Sequence, residues 1–403
     1  MFKDRVANAL IDHFFRQSIY RIFLFFVFFP YISFVNIGTD MQPYSLFLAI
    51  VLFFTFEKRF TPAQLCILYV FVFSTFILFL NSINFTVLRS YFNYLSLFFL
   101  SHVVFNVLKT ERIDFDYFLK KSILVWFFVG LGQSLFDKRF MTFLISGSRT
   151  TENRGVTSLA PEPTFYGIVL VFFLIFLLHL ETPRKKTYLF LCVFGILVFA
   201  KSSMALLFLA ILTFFYIITH VSLKYIFISV ITVFLLPVFV GRFMDGTRLS
   251  DLLFKIVDNP ISLVLIDASI NDRFFHVFFS MKGFYDNFFM PNGYLSWSNY
   301  VNMEIPKFSE YVIVEWFSVE GRIMSGYGSA FFELGIVAIA VPISLFLLYF
   351  SLFKNDLRKF IFFFLTINAI MFSAIPIGFS LFSFYLGFLG YLGWKKRFSI
   401  KNV

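Results

Sequence analysis

The chain has 403 residues, of which 59% are apolar and only 14% charged, with 69 phenylalanines and a mean hydropathy of +0.84. Soluble domains run near half apolar and a quarter charged, and a water-facing surface would have to expose many of those phenylalanines, so a water-soluble enzyme is excluded and lipid is the expected solvent. The net charge of +11, from 34 Lys and Arg against 23 Asp and Glu, reads first as membrane topology and not as a nucleic-acid footprint, because basic residues orient membrane proteins.

The first apolar run follows a mixed-charge stretch from Met1 to Arg21, is long enough to span, and lacks a small-residue cleavage pattern. It is therefore expected to stay as a transmembrane helix and not to act as a cleaved signal. Taking about twenty mostly apolar residues per span, the pattern predicts about twelve spans in all. Five (20–38, 43–56, 62–80, 91–108 and 119–136) precede a polar segment at 137–162. Four more (163–180, 187–202, 204–219 and 223–241) precede a longer polar segment at 242–327, and three (328–350, 358–375 and 377–394) follow it.

The expected fold class is all-α, a polytopic integral membrane protein forming a single domain over residues 1–403 with two long outer loops. With both termini inside, most of the Lys and Arg fall in inner loops, among them Lys58, Arg59, Lys120, Lys121, Arg184 and Lys395. The short outer loops keep only Arg89 and Lys201. That asymmetry is the reason for placing both termini in the cytoplasm. Cys66 and Cys192 lie in apolar runs, which leaves no disulfide framework or zinc pattern. No acidic cluster marks a metal site, so the chemistry is expected to need neither metal nor cofactor.

More than half of the acidic residues fall in the two long outer segments, and function is expected there. In the first, Arg149 and Arg154 precede Glu162-Pro163-Thr164 at the head of a span. Pro163 suits a first helical turn, and Glu162 would face a positive helix end. Guanidinium groups beside free backbone N–H groups suit a pyrophosphate, with Glu162 as a proton acceptor. The alternative is that Glu162 caps its helix and pairs with Arg154.

In the second segment, Ile270, Phe274, Val277, Phe278, Met281, Phe284 and Phe288 recur at helical spacing and predict an apolar stripe lying on the bilayer surface or the bundle top. Arg273, His276 and Ser280 share another face, which would present a guanidinium and an imidazole together. A lone histidine is, however, more often structural than catalytic. Residues 249–257 form a short amphipathic segment that reads as an interfacial lid. The segment ends with Arg322, then Gly326-Tyr327-Gly328-Ser329 and Glu333. Glu333, about a turn inside a span, should face a polar cavity or pair with an arginine.

Three elements resemble the O-antigen and exopolysaccharide repeat-unit polymerases, the Wzy family. They are Arg154-Gly155 followed by Ala160-Pro161-Glu162-Pro163-Thr164, Arg273 in the large loop, and Gly326-Tyr327-Gly328-Ser329 with Glu333-Leu334-Gly335. Thr164 stands where serine is commoner. The resemblance extends to the order of spans and loops over essentially the whole chain.

It implies an inner-membrane glycosyltransferase acting on undecaprenyl-diphosphate-linked oligosaccharide, with a fold similar to lipid-carrier-dependent membrane glycosyltransferases. A polysaccharide chain-length regulator and a flippase would be its partners. On this reading Arg154, Arg273 and Arg149 face the pyrophosphate, with Arg322 a weaker candidate. Glu162 is the first choice for the base and His276 the second, while Tyr327 and Glu333 contribute to substrate binding. An O-antigen ligase, which uses the same donor, and a lipid-linked oligosaccharide flippase or other transporter are the competing readings.

Overall fold

The structure, a computed structural model, describes residues 17–35, 39–57, 59–110, 113–150, 154–220, 265, 268–315, 317, 319, 323–373 and 375–401. Over these residues the fold is all-helical. The helices in the first part are α1 Gln17–Phe28, α2 Tyr44–Phe53, α3 Pro62–Phe79, α4 Phe85–Thr110, α5 Phe115–Leu135, α6 Pro163–His179, α7 Lys185–Phe194 and α8 Ser203–His220. They are followed by α9 Ala268–Asp286, α10 Ser296–Glu304, α11 Gly326–Leu334, α12 Ala340–Phe353, α13 Leu357–Met371 and α14 Ser380–Lys401.

Among the described residues, four helical stretches are long and apolar enough to cross a membrane: Pro62–Phe79, Phe85–Lys109, Phe115–Leu135 and Gly326–Phe353. An all-helical fold with four such stretches is compatible with a membrane protein. Local chemistry sets several boundaries. Thr61 and Gln64 form a reciprocal capping box around Pro62 at the start of α3, and Asp114 and Asp356 cap α5 and α13. Pro30 follows the end of α1, and the residue before a proline avoids helical geometry.

Four expected spans differ in detail. The segment 20–38 is helical only as far as Phe28, where α1 ends ahead of Pro30. The segment 43–56 is helical only over Tyr44–Phe53, 10 residues, about 15 Å against a hydrocarbon core of about 30 Å. The segment 187–202 is α7 continued by a π-helical turn, Gly195–Ala200, and it ends at Lys201 with φ 45°. The segment 328–350 starts at Gly326 and passes through a 3-10 turn, Gly335–Ile339, between α11 and α12. The expected span 223–241 and the segment 249–257 lie outside the described residues.

The chain divides into two compact units, Met1–Arg59 with Phe99–Ala205 and Ser380–Val403, and Phe60–Phe98 with Leu206–Phe379. Both are assembled from discontinuous stretches, so no linker composition announces them. In the first unit α6 is the central element, with every residue from Tyr166 to Leu177 buried. A helix that is apolar all round is one meant for burial on all sides. Phe28, Phe115, Phe384 and Phe388 pack ring against ring with its own Phe176, and Trp126 lies between Phe29 and Tyr166. In the second unit α3 packs along α12 and α9 packs on α11.

Candidate functional site

In the first unit the polar segment before α6 is built by polar contacts with its neighbours. Ile32 and Ile145 form an isolated antiparallel bridge, the Ser33 N–H donates to the Leu144 carbonyl at 2.8 Å, and Ser146 Oγ donates to the Thr39 carbonyl at 3.2 Å. These bonds bring the connection after α1 against residues 144–149. Arg149 then ties three pieces of chain together. Its guanidinium reaches Asp40 at 2.9 Å and Glu162 at 2.8 Å, and its backbone N–H donates to the Pro161 carbonyl at 2.7 Å. Burial opposes the charged guanidinium, but the hydrogen bonds and charges of Asp40 and Glu162 overcome it and raise the Arg149 pKa.

Glu162 occupies the N-cap position of α6 in an extended conformation, φ −139° and ψ 153°, yet its side chain makes no capping hydrogen bond. Its partner is Arg149, not Arg154, which corrects the alternative of a capping carboxylate paired with Arg154. Three quarters of the side chain is covered, with 25% left exposed, so the carboxylate is fixed in direction but still reachable. Arg154 is exposed, and its carbonyl accepts from Lys138 Nζ at 3.0 Å.

The stretch between Arg154 and Glu162 is not a free loop, since Gly155 to Pro161 is buried throughout. Gln133, on α5, accepts from the Ser158 N–H at 2.6 Å and donates to the Ser158 carbonyl at 2.9 Å. Ser158 has φ 50°, and its hydroxyl donates to the Trp126 carbonyl at 2.8 Å. The glycine of the Arg-Gly pair is a packing residue, because a Cβ at Gly155 would lie 2.0 Å from the Ala200 carbonyl oxygen. Thr164 accepts from Ser202 Oγ at 3.2 Å, which sets the start of α8 beside the mouth of α6.

In the second unit, the described residues of 268–323 build an aromatic core together with Phe332 of α11. Phe275, Phe279, Trp297, Val301, Ile305, Val312, Phe317, Ile323 and Phe332 are all buried in it. His276 sits inside this core, fully buried and stacked between Trp297 and Phe317 at centroid distances of 5.3 and 4.8 Å. Its Nδ1 accepts from the Met324 N–H at 3.4 Å, and Nε2 lies 3.4 Å from Asp272. Arg273, the next residue round the helix, is half-buried. Arg273 and His276 thus share a helix, but the imidazole faces rings and not an open surface.

The apolar stripe expected along this helix is displaced. The buried face carries Asn271, Phe275, His276, Phe279, Ser280 and Gly283, whereas Phe274 is exposed. Tyr327 is buried too, and its hydroxyl donates to Asn368 at 2.7 Å. Gly326 and Gly328 serve close approach: a Cβ on the first would lie 2.6 Å from the Ile375 carbonyl oxygen, and on the second 2.3 Å from Ser280 Oγ. Ser325 caps α11. Glu333 is buried and accepts from the Tyr94 hydroxyl at 2.6 Å, with Ser90 as a further hydrogen-bond partner; of the two expectations, a polar cavity or an arginine, the partners found are a phenol and a hydroxyl. Arg322 lies outside the described residues.

Among the described residues no group of three or more His, Cys, Asp or Glu side chains is arranged to hold a metal ion. Asp40, Gln133 and Tyr94 are the functional neighbours that sequence reasoning missed. Asp40 carried a signal, an acidic residue in a short outer connection, but its partner is 109 positions away. No known family model matches the chain, and no curated protein matches it in sequence.

Proposed function

We propose that this chain is a surface-polysaccharide polymerase of the Wzy type, a glycosyltransferase that joins undecaprenyl-diphosphate-linked oligosaccharide repeats at the periplasmic face of the bacterial inner membrane. The finer topology belongs to this reading: about twelve spans, with both termini cytoplasmic. The observation that carries it is the Glu162 carboxylate at the head of a buried apolar helix, aimed by Arg149 and left partly open.

In this reaction the hydroxyl of the nonreducing sugar on one carrier attacks the anomeric carbon of the chain on another. The bond from that carbon to the pyrophosphate oxygen breaks, and undecaprenyl diphosphate departs with its charge. Glu162 takes the hydroxyl proton as general base. Arg154, exposed at the far end of the buried stretch from Gly155 to Pro161, supplies positive charge for the leaving pyrophosphate. Arg149, already committed to Asp40 and Glu162, acts by positioning the base. Arg273 is a separate cationic contact for the carrier. His276 and Tyr327 have packing roles, and Glu333 has a buried partner, so none of the three is assigned a contact with substrate.

The test is incubation of the purified protein with its lipid-linked repeat alone, followed by gel analysis. A ladder from the wild type that is lost in Glu162→Ala and weakened in Arg154→Ala is the expected result. Transfer only after lipid A–core is supplied would make the protein a ligase. No transfer with either acceptor would remove the glycosyltransferase reading.

A further inference from the structure

Two consecutive bulky residues in the second unit, Phe288 and Phe289, have φ of 52° and 64°, a region that non-glycine residues enter only under constraint. The turn they form ends α9 and is exposed, Phe288 at 86% and Met290 at 63%. It is nonetheless held rigidly. The Ile336 N–H donates to the Phe289 carbonyl at 2.9 Å, and Gly335, itself at φ 63°, would place a Cβ 2.6 Å from that same oxygen. Asn287 Nδ2 donates to the Met290 and Pro291 carbonyls at 3.3 and 3.1 Å. The backbone is thus fixed in a costly shape that turns large apolar side chains outward.

Two helices of the same unit give the level of this turn relative to the bilayer. From Gly335 to Phe353 the chain is free of charge, about 19 residues or about 28 Å, close to the hydrocarbon thickness of about 30 Å. Glu333 and Lys354 bracket it. Its outward face is the row Ile336, Ile339, Ile343, Phe346 and Phe350, all exposed. Since Phe289 is bonded at Ile336, the turn lies at the outer end of that row. Independently, α3 carries a second exposed row, Leu65, Tyr69, Val72, Phe76 and Phe79, and just past its end Asn81 lies 3.5 Å from a Cβ built on Gly293. Both helices put residues 288–293 where the hydrocarbon stops.

We propose that the Phe288-Phe289-Met290 turn inserts into the outer edge of the bilayer's hydrocarbon and pins the aromatic core of residues 268–323 to the membrane surface. The partner is the phospholipid interface itself. Large apolar side chains at this depth gain by leaving water, and the clamp by Gly335 and Ile336 keeps the core at a fixed height above the span.

The experiment uses the full chain with Cys66→Ser and Cys192→Ala, carrying a nitroxide at Phe288→Cys. It is reconstituted into vesicles of phosphatidylethanolamine and phosphatidylglycerol, and collision with oxygen and with a water-soluble nickel chelate is measured. Ile343→Cys serves as the lipid-facing reference and Lys307→Cys as the hydrated one. The expected result is an oxygen-to-nickel collision ratio at 288 shifted from the Lys307 value towards the Ile343 value. A ratio equal to that at Lys307 overturns the proposal. Protection from both reagents also overturns it, since it would mean that protein covers the turn. The same label at Met290→Cys gives a second reading if the Phe288 variant does not fold.

Discussion

The two polar segments are held in place by opposite means. Residues 137–162 have little apolar core of their own and are fastened by discrete polar links: Arg149 between Asp40 and Glu162, Gln133 on Ser158, and the bridge from Ile32 to Ile145. The described residues of 268–323 are organised around buried rings, with Glu304 buried and salt-bridged to Lys282 and Lys307. The difference decides what each segment's ionisable residues can do. A carboxylate aimed by a salt bridge at a helix mouth keeps access to a ligand, whereas an imidazole stacked between Trp297 and Phe317 has become part of the packing. Candidate residues in equally polar loops are therefore not equivalent candidates.

The sharpest way to break the comparison is to empty the second core. Phe279 is fully buried against Phe275, Phe308 and Phe317, and Phe279→Ala should cost about 3–5 kcal/mol. The expected signature is early proteolysis within 268–323 and a lowered thermal midpoint in detergent. Unchanged protease resistance would mean that the core does not hold the segment.

The matching test on the first segment is Gly155→Ala, which adds an atom against the Ala200 carbonyl, a piece of backbone with little room to yield. Overpacking of this kind should cost about 3 kcal/mol, read as a lower thermal midpoint with the second segment's protease pattern unaltered.

A smaller effect is expected from Arg149→Ala. The pair is half exposed, so the stability lost should be only about 1 kcal/mol, and it should shrink with added salt. Arg149→Lys should not restore it, because one ammonium cannot bridge two carboxylates with a guanidinium's planar fork. On the proposed function, polymer synthesis falls much further than stability in both variants, since Glu162 loses its direction. Equal losses in stability and synthesis would remove the positioning role.

The smallest expected effect is a pH dependence confined to the second segment. Lys282 lies between Asp286 at 2.5 Å and Glu304 at 3.1 Å, and Lys307 pairs with Glu304 at 2.6 Å. Burial raises the pKa of both acids, but the lysines, with Tyr300 donating to Asp286, outweigh it and leave both below their usual values of 3.8 and 4.5. A hydrogen bond from Lys282 to Asp286 raises the lysine above 10.5. Depressed acids contribute stability above their unfolded pKa and lose it as pH falls through the folded one. The raised lysine contributes below 10.5 and loses its share as pH climbs past its folded value. Resistance of 268–323 to proteolysis should therefore be flat between about pH 5 and 10, fall on acidification below that window, and fall less steeply in Glu304→Gln.

Much of the fold was legible in the chain because lipid imposes a simple rule. Long uncharged runs must be helical, and α3, α4 and α5 lie where hydropathy puts them. The position of Glu162 at the head of α6 was legible as well, from Pro163 alone. The buried face of α9 was not. Its sequence offers phenylalanines on more than one side, Phe274 and Phe278 as well as Phe275 and Phe279, so periodicity cannot choose between them, and the choice falls to Trp297, Phe317 and Phe332 arriving from elsewhere in the chain. The partners of Arg149 and Glu333 were hidden for the same reason. Asp40 is 109 residues from one and Tyr94 is 239 from the other, and charge pairing at such separations has no local signal. Composition and hydropathy thus determined an all-helical chain with helices long and apolar enough to cross a membrane. Tertiary structure alone decided which of its polar groups stay reachable, because accessibility depends on what packs against a side chain and not on what precedes it.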